Sequence, residues 1–124
     1  EGNLWCVFGC GGDRDKGKRP EMGHIAARYA DRVVLTSDNP RTEPVDKIIR
    51  EIKNGVRRAG HCEEVPDREQ AVFKAVTDAE PGDLILLAGK GHESYQEVDG
   101  VRYVYSDREV AQQALQEKFE ARFH

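Results

Sequence analysis

The chain has 124 residues with a net charge of −4, and it is 34% charged and 38% apolar, which suits one globular domain around one core. The acidic balance argues against nucleic acid or an acidic membrane surface as the main partner. No apolar run reaches the roughly 18–20 residues of a membrane span, and no signal-peptide pattern is present. Three cysteines, Cys6, Cys10 and Cys62, form no disulfide framework and point to reduced thiols in a cytoplasm. Cys6 falls in an expected buried strand, so no metal pair with Cys10 is expected. The chain is expected to be a monomer.

"LWCVF" (4–8) reads as a short buried strand. After a glycine-rich loop, Pro20 suits a first helical position, and Met22, Ile25, Ala26 and Tyr29 recur at helical spacing as an inward face. His24, on or beside that face, reads as a packing residue. "RVVLT" (32–36) is a second strand. Pro44 opens a second helix, with Val45, Ile48, Ile49, Ile52 and Val56 on one face and Gly60 at its end. "CEEV" (62–65) is a short strand, and Asp67 with Gln70 forms a capping box for a helix burying Ala71, Val72, Ala75, Val76 and Ala79.

"LILLA" (84–88), the most apolar run, reads as a central strand. Asp99-Gly100 between "YQEV" and "VRYVY" predicts a hairpin, and Ser106 with Glu109 caps a last helix burying Val110, Ala114, Leu115 and Phe119. Trp5 and the hairpin aromatics read as core and sheet-face packing. Alternating strands and helices imply an α/β fold: one Rossmann-like, mostly parallel sheet with helices on both faces and a C-terminal β-hairpin.

Ligands of an open parallel sheet bind beyond the carboxyl ends of its strands. Three loops leave strands there: "GCGGDRDKGKR", "SDNPRTE" and "GKGHES". Together they would present Arg14, Lys16, Lys18, Asn39, Arg41, Lys90, His92 and Glu93. Gly12 to Lys18 has the G-x-x-x-x-G-K spacing of a phosphate-binding loop, but Arg19 stands where Ser or Thr would hold Mg²⁺. Asp13 and Asp15 would repel an anion there, and Pro20 has no N–H. A solvated glycine loop is one alternative; a site for a ligand carrying both carboxylate and amine is the other. "DNP" is also ordinary turn chemistry.

"FGCGGDRDKGKRP", "DNPR" and "GKGHE…Y", in this order and spacing, resemble the C-terminal domain of the bacterial Mur ligases over essentially the whole chain. The nearest pattern is that of members adding the third amino acid of the peptidoglycan precursor. The resemblance implies an ATP-dependent, ADP-forming amide ligase. Its N-terminal domain would hold the UDP-N-acetylmuramoyl dipeptide, and a central domain would carry the true P-loop and the Mg²⁺. Residues 1–124 would be the acceptor domain alone, with the other two absent, so the chain by itself is expected to be inactive and to carry neither catalytic residues nor a metal site.

The "DNPR" signature goes with meso-diaminopimelate as acceptor. On that resemblance the acceptor residues are Arg14, Asp38, Asn39, Pro40, Arg41, Gly89 and Glu93. Arg41 offers a planar fork for the distal carboxylate, and Glu93 with the Gly89 carbonyl can receive the distal ammonium. Asp13, Lys16, Lys18, Lys90 and His92 are expected at nucleotide or closure contacts. Lys90 would neutralise phosphate or simply be exposed, and His92 would act as a base or position its loop. A lysine-adding ligase and a stand-alone amino-acid or nucleotide-binding module are the rival readings.

Overall fold

A computed structural model of the chain describes residues 2–13, 16–56, 61–90 and 93–123. Ten elements follow one another: β1 (Leu4–Phe8), α1 (Lys18–Tyr29), β2 (Arg32–Leu35), α2 (Val45–Lys53), β3 (Cys62–Glu64), α3 (Arg68–Asp78), β4 (Leu84–Leu87), β5 (Tyr95–Val98), β6 (Val101–Val104) and α4 (Asp107–Phe123). The first four strands form a parallel sheet in the order β3-β2-β1-β4, with β5 and β6 a separate antiparallel hairpin. The fold is thus the expected α/β sheet with a C-terminal hairpin. No helix among the described residues is long and apolar enough to cross a membrane.

Period-two alternation assigns the faces. Phe8, Val33 and Leu35 pack with Ile48, Ile49 and Ile52 of α2. Trp5, Val7 and Val34 pack on the opposite face with Ala71 and Ala75 of α3. Asp67 caps α3 as its spacing predicts, accepting from the Gln70 N–H at 3.1 Å. Helix α4 lies outside α3, with Ala114 against Val72 and Val76. The Asp99-Gly100 turn takes φ of 50° and 79°, the left-handed pair that a two-residue hairpin loop requires.

Several expectations fail in detail. Helix α1 begins at Lys18, so Pro20 is its third residue, and it buries Arg19 and Gly23. Met22, Ile25 and Tyr29 are exposed, as is His24. The reason is a close helix contact: a Cβ on Gly23 would stand 2.1 Å from the Ile52 carbonyl oxygen. The glycine must face α2, and this turns the apolar stripe outward. Helix α2 ends at Lys53, before Val56, and Gly60 lies outside the described residues.

Strand β4 is an edge strand and not a central one. Ile85 and Leu87 pack towards α3 and α4, while Leu84 and Leu86 are more than half exposed. In α4 the small residues Ala111 and Ala114 make the contact with α3, which leaves Leu115 and Phe119 exposed.

Candidate functional site

The chain order turns back at β1: β2 and β3 lie on one side of it and β4 on the other. The loops leaving β1, β2 and β4 therefore converge at one end of the sheet, where a crevice is expected. They do meet. Gly12 N–H donates to the Asn39 carbonyl at 2.7 Å, and a Cβ on Gly12 would lie 1.7 Å from the Pro40 carbonyl oxygen. Gly89, at φ +105°, lets the exit of β4 turn in against Asp38. Gly12→Ala is expected to lose about 1–3 kcal/mol of stability by overpacking, read as a lowered thermal midpoint. A midpoint unchanged from the parent would contradict this packing.

The centre of the convergence is Lys90. Its side chain is fully buried, 3.0 Å from Asp38 Oδ1, and it donates to Asn39 Oδ1 at 2.9 Å. Glu93 Oε1 stands 3.7 Å away and keeps 39% of its side chain in solvent. Lys90 is therefore not exposed; it ties the third loop to the second. Asn39 is buried as well, its Oδ1 also accepting from the Glu97 N–H at 2.9 Å. Pro40 is buried beneath the first loop.

Arg41 stands at the rim, one-fifth exposed. Its Nη1 donates to the carbonyls of Gly12 (3.0 Å) and Asn39 (3.3 Å), and Nε lies 3.7 Å from Glu97 Oε1. Among the described residues, no partner lies on Nη2. The backbone is left-handed, φ 53°, a conformation that costs a non-glycine residue about 1–2 kcal/mol. Two hydrogen bonds hold it there, Arg41 N–H to Glu97 O at 3.0 Å and Asp99 N–H to Arg41 O at 2.8 Å.

The first loop is anchored from below. Arg19 is 1% exposed, and its Nη1 and Nη2 donate to Glu43 at 3.0 and 2.8 Å, to Glu51 at 2.8 Å and to the Gly11 carbonyl at 2.9 Å. Glu43 also accepts from the Asp13 N–H at 2.7 Å. The Arg19 hydrogen bonds outweigh burial and hold the Glu43 carboxyl well below the usual carboxylate range. Asp13 is occupied in turn, accepting from the Thr42 hydroxyl at 2.6 Å. Lys16 approaches Glu43 at 3.9 Å and remains half exposed, and Lys18 opens α1 in solvent. Arg14 and His92 lie outside the described residues.

These bonds decide the phosphate-loop question. The amides of Gly12, Asp13 and Arg19 all donate within the protein, and the Arg19 side chain is a buried structural ion. With these three amides engaged, the described part of this loop does not form a nucleotide phosphate cradle. Burial pushes the Cys10 thiol up to about 11, with Arg19 opposing and Asp38 reinforcing, so it stays protonated at neutral pH. Among the described residues, no group of three or more His, Cys, Asp or Glu could hold a metal ion.

Sequence reasoning missed the residues that fix the loops. Gln96 Nε2 donates to Ser37 Oγ at 2.6 Å and to the Asp38 carbonyl at 2.8 Å. Arg68, 1% exposed, donates to the Ser37 carbonyl (2.9 Å), the Ala88 carbonyl (3.1 Å) and both oxygens of Asp107 (2.8 Å each). The Tyr105 hydroxyl donates a hydrogen bond to Asp107 Oδ1 at 2.8 Å. One buried guanidinium thus joins the ends of β2 and β4 to the start of α4.

A parallel sheet with three polar loops interlocked at its carboxyl end defines an α/β domain, and that end is where such sheets bind their ligands. The chain belongs to the Mur ligase family: residues 1–91 match the model described as "Mur ligase, glutamate ligase domain". It is 56% identical over 115 residues to the UDP-N-acetylmuramoyl-L-alanyl-D-glutamate–2,6-diaminopimelate ligase of Chromobacterium violaceum, covering 92% of this chain and 23% of that protein. The protein of the same name from Parasynechococcus marenigrum is 52% identical over 118 residues, covering 95% and 24%. A solved structure of a ligase of that name superposes with a TM-score of 0.90 at 45% identity, over 100% of this chain and 25% of the other. The chain spans about a quarter of the length of the curated relatives it matches.

Proposed function

We propose that residues 1–124 are the acceptor domain of an ATP-dependent ligase that adds meso-diaminopimelate to UDP-N-acetylmuramoyl-L-alanyl-D-glutamate in the bacterial cytoplasm. The observation that carries this reading is Arg41. Its guanidinium is held at the rim of the three-loop convergence by backbone and carboxylate contacts on Nη1 and Nε, and among the described residues Nη2 takes no partner. A planar fork fixed in this way suits a carboxylate. It is the carboxylate beside the distal amine that separates diaminopimelate from lysine.

Glu93, partly solvated and 3.7 Å from Lys90, together with the Gly89 carbonyl, would receive the distal ammonium. Arg14 would hold a further acceptor carboxylate. Asp38, Asn39 and Pro40 serve this site as its frame: Asn39 and Lys90 lock the loop and leave Arg41 to read the ligand. On this reading, nucleotide phosphates and metal are held mainly by the other domains of the ligase. The part played here is to bind the amino acid and hold its free amine towards the activated carboxyl group that will acylate it. Lys16 and Lys18, both in solvent, are the cations of this edge left for contacts with the other domains.

The test is calorimetric titration of the ligase containing this chain with meso-diaminopimelate and with L-lysine, in the presence of the UDP-dipeptide. Saturable binding of diaminopimelate, at least tenfold tighter than that of lysine, is expected. Equal affinity for the two, or binding of lysine alone, would overturn the reading.

A further inference from the structure

The hairpin β5–β6 pairs with no strand of the main sheet. Among the described residues, every hydrogen bond from Tyr95–Asp99 to the rest of the domain goes to the segment Ser37–Arg41. Gln96 reaches Ser37 and Asp38, Glu97 reaches Asn39, and Glu97 and Asp99 bracket the Arg41 backbone. Arg41 and Val98 form an isolated parallel bridge. The Glu97 carboxylate adds a side-chain contact to Arg41 Nε at 3.7 Å. A hairpin whose bonds all serve one loop acts as a clamp on that loop.

We propose that β5 sets the acceptor specificity of this domain, with Gln96 as the positioning residue that fixes the Arg41 guanidinium through Ser37 and Asp38. The proposal rests on the acceptor reading above. The Gln96 amide spans the two residues that lead into the left-handed turn at Arg41, so its two bonds define where the turn begins. Losing them leaves the backbone pairing at Arg41 but frees the approach to it, and the fork then samples several orientations. A ligand read at both ends suffers from that freedom; one lacking the distal carboxylate does not.

The consequence is a change in discrimination and not in overall rate. In the ligase containing this chain, Gln96→Leu keeps bulk and removes both bonds. The ratio of kcat/KM for meso-diaminopimelate to that for L-lysine is expected to fall at least tenfold, through KM for diaminopimelate, with KM for ATP within twofold of the parent. Ser37→Ala, which removes one of the two acceptors and leaves the backbone intact, is expected to lower the ratio in the same direction. It decides the matter if Gln96→Leu does not fold. A merely structural hairpin would depress both substrates together, so a ratio within twofold of the parent in the folded variants overturns the proposal. A parent enzyme that shows no preference for diaminopimelate instead overturns the acceptor reading on which it stands.

Discussion

Arg68→Ala is expected to cost about 3–5 kcal/mol, the usual penalty for breaking a buried ion pair by removing one partner. Arg68 makes four hydrogen bonds while 1% exposed, and Asp107 is 6% exposed. Without the guanidinium, the carboxylate keeps only the Tyr105 hydroxyl, and the carbonyls of Ser37 and Ala88 lose a donor. Against the 5–15 kcal/mol or so of a typical domain, this is a large fraction, and urea unfolding measures it directly. A loss below about 1 kcal/mol would mean that the site relaxes around the gap.

The pH dependence has a defined sign. Burial alone would raise the Asp107 carboxyl, but the Arg68 hydrogen bonds and charge more than offset it, and the group sits below its ordinary value. The pair therefore contributes its stability above the ordinary aspartate range and loses it as pH falls through the depressed folded value. In Arg68→Ala the burial acts without that opposition. The carboxyl then rises relative to the parent, with the Tyr105 hydrogen bond and the Lys90 charge still opposing burial, and less stability is lost on acidification than in the parent. A parallel loss at all pH values would contradict the assigned balance.

Arg41→Ala is the second large effect. Truncating one partner of a desolvated charge pair costs about 2–5 kcal/mol, so binding of meso-diaminopimelate to the ligase is expected to weaken at least about 30-fold. L-lysine, which offers no distal carboxylate, should change far less. Arg41→Lys keeps the charge but not the fork, and should fall between the two. Calorimetry on the folded variants measures all three. An equal loss for both amino acids would mean that Arg41, through its bonds to two backbone carbonyls, supports the loop without reading the ligand.

The sequence carries its local grammar openly. Asp67-x-x-Gln70 starts α3 as capping predicts, Asp99-Gly100 turns the hairpin, and apolar runs mark three of the four parallel strands, β1, β2 and β4. It is less informative about which face an element turns. The apolar stripe of α1 is exposed because Gly23 must meet the Ile52 backbone, a close approach that hydrophobic spacing does not encode. Strand order hides in the same way: "LILLA" has the composition of a central strand, yet it pairs on one side only.

The site follows the same division. The three loops are legible as glycine, charge and turn residues, and they do interlock. Their supports are not legible, because most partners of Arg19, Arg68 and Gln96 lie 20 to 59 positions away. A lone arginine early in a helix reads as a solvated charge until its partners are known. Arg19 also explains the phosphate-loop resemblance: the residue that breaks the pattern is a buried ion holding the first loop to the second.

On the proposed function, this domain selects an amino acid by its distal carboxylate. The most direct measurement is a competition. The ligase containing this chain is given ATP, the UDP-dipeptide and equal concentrations of meso-diaminopimelate and L-lysine, and the products are separated by mass. Diaminopimelate product in large excess, reduced towards parity by Arg41→Ala, is the predicted result. Lysine product in excess from the parent enzyme, or a product ratio indifferent to Arg41, would contradict it.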